Sequence, residues 1–127
     1  MFGGQGYIED TGLPAILRDA QVLSIWEGTT NVQSADFLRV LVKSRGDAFV
    51  ALGRLIDARC DDAALASLRP SAEAVKKAGS LVKQFLHQGA GSKEGADALE
   101  KNAREFLMST GRVVIASILI EHAQVAG

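Results

Sequence analysis

The chain has one cysteine, two prolines and one tryptophan among 127 residues. A lone thiol, Cys60, excludes an internal disulfide and fits a reducing compartment. No H-x-x-x-H or C-x-x-C spacing occurs, and His87 and His122 stand in separate segments, so no metal site is expected. Neither sign of charge dominates: 14 Lys and Arg meet 15 Asp and Glu, for a net charge of -1 and a pI near 6.1. Nucleic-acid binders are usually strongly basic, so that class is disfavoured. Lys76, Lys77 and Lys83 share a segment with Glu73 and read as a solvated face. Long apolar runs are also missing. Val113 to Ala116 and, across Ser117, Ile118 to Ile120 fall far short of the ~20 residues that cross a bilayer, so no membrane span is expected. No charged-then-apolar leader opens the chain. What remains, 47% hydrophobic and 23% charged residues, is the balance of a globular protein with one core of ordinary size.

The apolar pattern is helical throughout. Pro14 marks the first turn of a short segment from Leu13 to Ala20. Thr30 and Gln33 have the spacing of a capping box, which places a helix start there. From that point Val32, Ala35, Leu38, Leu41, Val42, Phe49, Leu52 and Ile56 recur at three, four and seven, with Gly46 and Gly53 as points of bending or division. Asp61 to Pro70 is a connection with a short helical turn between Ala63 and Leu68. Ser71 to His87 carries Val75, Ala78, Val82, Phe85 and Leu86 on one face. Gln88 to Lys93 reads as a loop, and a last helix runs from about Glu94 to Gln124. Its inner stripe is Leu99, Ala103, Phe106, Leu107, Val113, Val114 and Ile118. Between Val113 and Ile120 it is apolar nearly all round, as in a central helix or one at a subunit interface. The expected fold is all-α, an antiparallel bundle of three to four helices. Residues 1–60 form its first part and 61–127 a helical extension packed on that part.

Two glycine clusters, Gly3-Gly4-Gln5-Gly6 and Gly89-Ala90-Gly91-Ser92-Lys93, miss the spacings of the Rossmann and P-loop phosphate cradles. Cys60 is followed by Asp61 and Asp62, whose negative charge raises a thiol pKa and makes it a poor nucleophile. The informative stretch is Arg18 to Gln33. Taken by itself, Ser24 and Glu27 have capping-box spacing, and Glu27 is then purely structural. On the other reading, Ile25 and Trp26 form an apolar wall that desolvates the Glu27 carboxylate and raises its pKa toward that of a useful general base. Gly28 then allows a substrate close to the backbone, and Thr29 and Asn31 offer hydrogen bonds at the mouth of a helix.

Phe2-Gly3-Gly4-Gln5-Gly6-Tyr7, Arg18-Asp19-Ala20 and Ile25-Trp26-Glu27-Gly28-Thr29-Thr30-Asn31, in that order and register, resemble the C-terminal signature of flavin-dependent acyl-CoA dehydrogenases. Residues 1–42 carry the resemblance. The wording Ser24-Ile25-Trp26-Glu27-Gly28, with Asp36 to Leu41 after it, is similar to the AidB-like branch. The resemblance implies that Glu27 is the base that removes the α-proton of an acyl-CoA thioester. It places Gly28 beside the thioester, and Thr29 and Asn31 on FAD. Phe2, Gly3 and Gly4 fall in a segment that reaches the FAD of a neighbouring subunit. Arg18 and Asp19 match a structural pair that holds the loop before the base. The implied partners are an acyl-CoA substrate, an electron-transfer acceptor and further copies of the chain, in the cytoplasm of a bacterium or the mitochondrial matrix of a eukaryote.

A whole member of this family also has a helical N-terminal domain and a β-domain, to which no segment of this chain corresponds. The chain alone is therefore expected neither to hold FAD stably nor to turn over substrate. Two other functions compete: a non-catalytic interaction or dimerisation module using the band from Val113 to Ile120, and, with less support, AidB-like nucleic-acid binding.

Overall fold

The computed structural model describes residues 2–26, 28–63 and 65–126. They contain six α-helices and no strand: α1 (Leu13–Val22), α2 (Thr30–Lys43), α3 (Asp47–Asp61), α4 (Arg69–Ala90), α5 (Lys93–Lys101) and α6 (Ala103–Ala126). The chain divides into two compact units, 1–33 and 34–127, with the division inside α2.

In the first unit, short 3-10 turns at Gly3–Gly6 and Glu9–Thr11 pack on α1. Gly12, at φ 71°, turns the chain into α1, and Pro14 occupies the first turn, where a missing N–H costs nothing. The Arg18 guanidinium grips the Glu9 carboxylate with both nitrogens, at 2.9 and 3.1 Å. The partner that Arg18 holds is thus Glu9, nine residues upstream, and the pair ties the N-terminal turns to α1.

The second unit is organised around α6. Phe106, only 3% exposed, receives three rings from three other helices: Phe37 of α2 at 5.5 Å, Phe49 of α3 at 5.9 Å and Phe85 of α4 at 5.8 Å between centroids. Ring pairs at these separations add about 0.5–1.5 kcal/mol each beyond the area they bury. A second cluster, Ile56, Cys60, Ala63, Ala72, Val113 and Ile120, extends the core along α3, α4 and α6. Arg59 bridges to Glu121 at 2.7 Å and Lys76 to Asp61 at 2.5 Å, joining α3 to α6 and to α4 at the surface. The Gln124 side-chain amide also donates to the Asp62 carbonyl.

Several expected boundaries and faces move. The buried face of α2 is Ser34, Phe37, Leu38 and Leu41, whereas Val32, Ala35 and Val42 are exposed. Two apolar stripes alternate along this segment, and the one that packs is marked by a serine. The face of α6 is Phe106, Thr110, Val113, Ser117 and Ile120. Its two hydroxyls are buried without penalty: Thr110 donates to the Phe106 carbonyl at 2.8 Å and Ser117 to the Val114 carbonyl at 2.7 Å. The long pattern after Thr30 divides at Ser44–Gly46, while Gly53 stays inside α3. The expected last helix is two, because Asn102 closes α5 and its carbonyl accepts the Phe106 N–H that opens α6. The expected loop from Gln88 shrinks to Gly91 and Ser92. Ser92 caps α5 by accepting from the Gly95 N–H at 3.0 Å, worth about 1 kcal/mol.

The α2–α3 turn is a Schellman motif. The Gly46 N–H reaches the Leu41 carbonyl at 2.9 Å and the Arg45 N–H the Val42 carbonyl at 3.1 Å. Its left-handed position is usually glycine, but here it is Arg45 at φ 52°. α6 is long and apolar enough to cross a bilayer by length and composition alone. In the second unit it is the helix on which α3, α4 and α5 pack.

Candidate functional site

The residues singled out from the sequence fall on three parts of the first unit. Phe2 precedes the turn Gly3–Gly6, with Phe2 exposed and open space where a Cβ on Gly3 or Gly4 would point. Gly3 has a φ of 55°, so a side chain there is strained even though space is free. Gly28, Thr29 and Asn31 stand together at the mouth of α2, placed by the turn Leu23–Trp26 that ends α1. Glu27 lies outside the described residues.

The structure separates the two readings of Ser24. Its hydroxyl donates to the Gln21 carbonyl at 2.8 Å, and its N–H reaches the same carbonyl at 3.1 Å. Ser24 therefore closes the end of α1. Among the described residues no helix begins between Ser24 and Thr30, and a pairing with Glu27 falls outside them. α2 begins at Thr30, where the T-x-x-Q spacing places a helix start. The Thr29 carbonyl accepts the first helical bond, from the Gln33 N–H at 3.0 Å. The Gln33 side-chain amide reaches back to the Trp26 carbonyl at 3.3 Å. Gln33 thus ties both Trp26 and Thr29 to the first turn of α2. The T-x-x-Q spacing pointed to Gln33, and the bond seen is one that its side-chain amide donates to the Trp26 carbonyl.

Gly28 has a φ of 102°, and a Cβ on it would come within 3.2 Å of a Val32 methyl. Glycine is required here by the backbone, independently of any ligand. Thr29 and Asn31 are exposed, and their side chains make no hydrogen bond to a described residue. Both are available to a polar group outside the chain.

The expected apolar wall is different from what the sequence pattern suggested. Ile25 is 71% and Trp26 59% exposed, and Leu23 and Val22 are exposed with them. These side chains form an exposed apolar surface. Away from this region, His87 and His122 are exposed on α4 and α6. The Cys60 thiol is buried and its pKa is pushed up, chiefly by desolvation, with Asp57 and Asp61 adding to the rise and Lys76 opposing it. Burial, rather than the neighbouring acids alone, makes it inert.

Comparison with known proteins gives this arrangement its context. Residues 1–42 match the family described as acyl-CoA dehydrogenase, C-terminal domain, and residues 48–127 match acyl-CoA dehydrogenase 11 C-terminal domain-like. The chain belongs to the acyl-CoA dehydrogenase family. The family is one of flavoprotein oxidoreductases, generally FAD-dependent. Acyl-CoA dehydrogenase family member 11 of Caenorhabditis elegans is 39% identical over 125 residues, covering 96% of this chain and 20% of that protein. The broad-specificity linear acyl-CoA dehydrogenase FadE5 of Mycobacterium tuberculosis is 27% identical over 98% of this chain and 22% of its own length. The putative acyl-CoA dehydrogenase AidB of Escherichia coli is 48% identical, but over 36% of this chain. The AidB likeness is therefore partial, while the likeness to family member 11 runs through α3–α6. The chain spans about a fifth of the length of the relatives that match it end to end. No solved structure matches.

Proposed function

We propose that this chain is the catalytic-base end of an FAD-dependent acyl-CoA dehydrogenase, with Glu27 as the group that takes the α-proton. The observation that carries the proposal is the grouping at the mouth of α2: a glycine held at φ 102° directly after position 27, followed by two uncommitted polar side chains, Thr29 and Asn31. The α-proton of a thioester is weakly acidic. A carboxylate can take it only in a site that excludes water and polarises the thioester carbonyl. The apolar surface of Ile25 and Trp26 is the half of such a site that this chain contributes.

The residues present fit a flavin at this place. Thr29 and Asn31 would hold its polar edge, and the open Phe2-Gly3-Gly4 segment would reach the flavin of a neighbouring copy. Bound FAD supplies the acceptor for the β-hydrogen as hydride. Glu27 takes the α-proton, the double bond forms between the α and β carbons, and a trans-2-enoyl-CoA results. Gly28 lies beside the thioester, and the backbone requirement at that position leaves no side chain to obstruct it. Gln33, through the Trp26 carbonyl, holds the loop, while Arg18, through Glu9, fixes the N-terminal turns on α1.

An acyl-CoA and an electron-transfer acceptor are the partners this reading assigns. Self-association is part of it, and Ile115 and Leu119, one turn apart and exposed on α6, offer an apolar strip for a second copy. On this reading the chain by itself does not retain the flavin, and the exposure of Ile25 and Trp26 supports it. Titration of the chain with FAD is expected to show no tight stoichiometric binding. In a longer polypeptide carrying this sequence, Asn31→Ala is expected to weaken flavin retention. Tight binding by the chain alone, or unchanged retention in that variant, contradicts the proposal.

A further inference from the structure

Trp26 ends the turn after α1, and its N–H is fixed to the Val22 carbonyl at 2.8 Å. Two residues on stands Gly28, at φ 102°. A glycine has no side chain to limit its backbone, so a loop that contains one needs restraint from elsewhere. The Gly28 N–H reaches the Ile25 carbonyl only at 3.4 Å, a long contact. The Trp26 carbonyl belongs to the planar peptide group that leads into position 27, so its direction sets how the next residue is presented. Among the described residues, the donor that reaches this carbonyl is a side chain, the Gln33 amide at 3.3 Å.

Gln33 is suited to that task. It stands half-buried in the first turn of α2, and its own N–H is fixed to the Thr29 carbonyl at 3.0 Å. One residue thus bonds the carbonyls of Trp26 and Thr29, from a backbone that is already helical. A carbonyl only accepts, so the contact uses the NH2 group of the side chain. An ionised carboxylate of the same shape has no donor to offer.

We infer that Gln33 is a positioning residue for the α-proton transfer: its amide fixes the peptide group that leads into position 27 and so aims the base. The inference rests on the proposed role of Glu27 and adds the group that orients it. Proton transfer needs the reacting atoms about 3–3.5 Å apart and aligned, and a misplacement of about 1 Å costs about 10²-fold. Loss of the Gln33 donor therefore slows the transfer more than it weakens the binding of substrate.

The test uses Gln33→Met, which keeps the length and removes the donor, and Gln33→Glu, which keeps the shape and only accepts when ionised. Both are placed in a longer polypeptide that carries this sequence and binds FAD, and flavin reduction by an acyl-CoA is followed in a single turnover. Each variant is expected to be about 10- to 100-fold slower per bound flavin, with the acyl-CoA dissociation constant within about threefold of the original. A merely structural role lowers the amplitude and leaves the rate constant unchanged. Glu27→Gln is measured beside them, alone and combined with Gln33→Met. Because Gln33 acts through position 27, the double variant is expected to be no slower than Glu27→Gln. In the 127-residue chain itself, Gln33→Met is expected to lower the backbone order of Gly28 seen by NMR relaxation. Unaltered rates in both Gln33 variants beside a slow Glu27→Gln overturn the inference and leave the role of Glu27 standing. Losses that multiply in the double variant, or an unchanged Gly28 order, also overturn it. An unaltered rate in Glu27→Gln removes that role and this inference together.

Discussion

The ring of Phe37 lies 5.5 Å from that of Phe106, tilted by 40°, and joins the C-terminal half of α2 to the helix on which the second unit is built. Phe49 and Phe85 meet the same ring from α3 and α4. Phe106→Ala removes the common partner of all three and is expected to destabilise the chain by about 3–5 kcal/mol. Phe37→Ala, at a half-buried position, is expected to cost less. Denaturant unfolding of the two variants checks the order, and a smaller loss for Phe106→Ala contradicts the shared-ring arrangement.

Gly28→Ala forces a side chain into a left-handed backbone and against Val32. The expected cost is about 1 kcal/mol or more, confined to the first unit. The single tryptophan, Trp26, is two residues away and reports on this unit by fluorescence. An unchanged Trp26 transition shows that the loop relaxes without strain.

The Arg18 guanidinium bonded to Glu9 holds that carboxyl below its ordinary range. A carboxyl lowered in the folded state contributes stability above its unfolded pKa, and that contribution is lost as pH falls through the folded value. Because the pair is exposed, the effect is small and weakens with salt. Arg18→Ala is expected to return the Glu9 titration, followed by NMR, upward to the ordinary carboxylate range. A Glu9 titration that does not move shows that the fork contact is not held in solution.

Burial raises the Cys60 thiol pKa, so the folded chain is expected to resist alkylation at neutral pH and to react once denatured. Rapid labelling under native conditions contradicts the packing of Cys60 against Ile56, Ala63 and Ala72.

The helical class was legible in the apolar spacing, and most stripe residues of α4 pack as the period requires. Faces built on hydroxyl groups were not legible. Ser34, Thr110 and Ser117 are buried because each small side chain lets helices approach and, for Thr110 and Ser117, because a carbonyl of the same helix accepts the proton. The break at Asn102 was hidden because both flanking helices continue the apolar pattern. In the candidate site, Gly28 stood out in sequence as a residue a substrate can approach, but the positive φ that requires glycine emerges only from the folded backbone. Glu9 gave no signal, since its pairing with Arg18 depends on how the N-terminal turns fold back on α1. Ile25 and Trp26 were legible as apolar. Their exposure was not, because an apolar residue type does not by itself say whether another element covers it.

The most direct test replaces the carboxyl at position 27 with an amide, Glu27→Gln, in a longer polypeptide that carries this sequence and binds FAD. The bound flavin is expected to remain, while its reduction by an acyl-CoA slows by on the order of 10²–10⁴-fold, the usual contribution of a general base. Flavin reduction at the unaltered rate would contradict the assignment of Glu27 as the group that takes the α-proton.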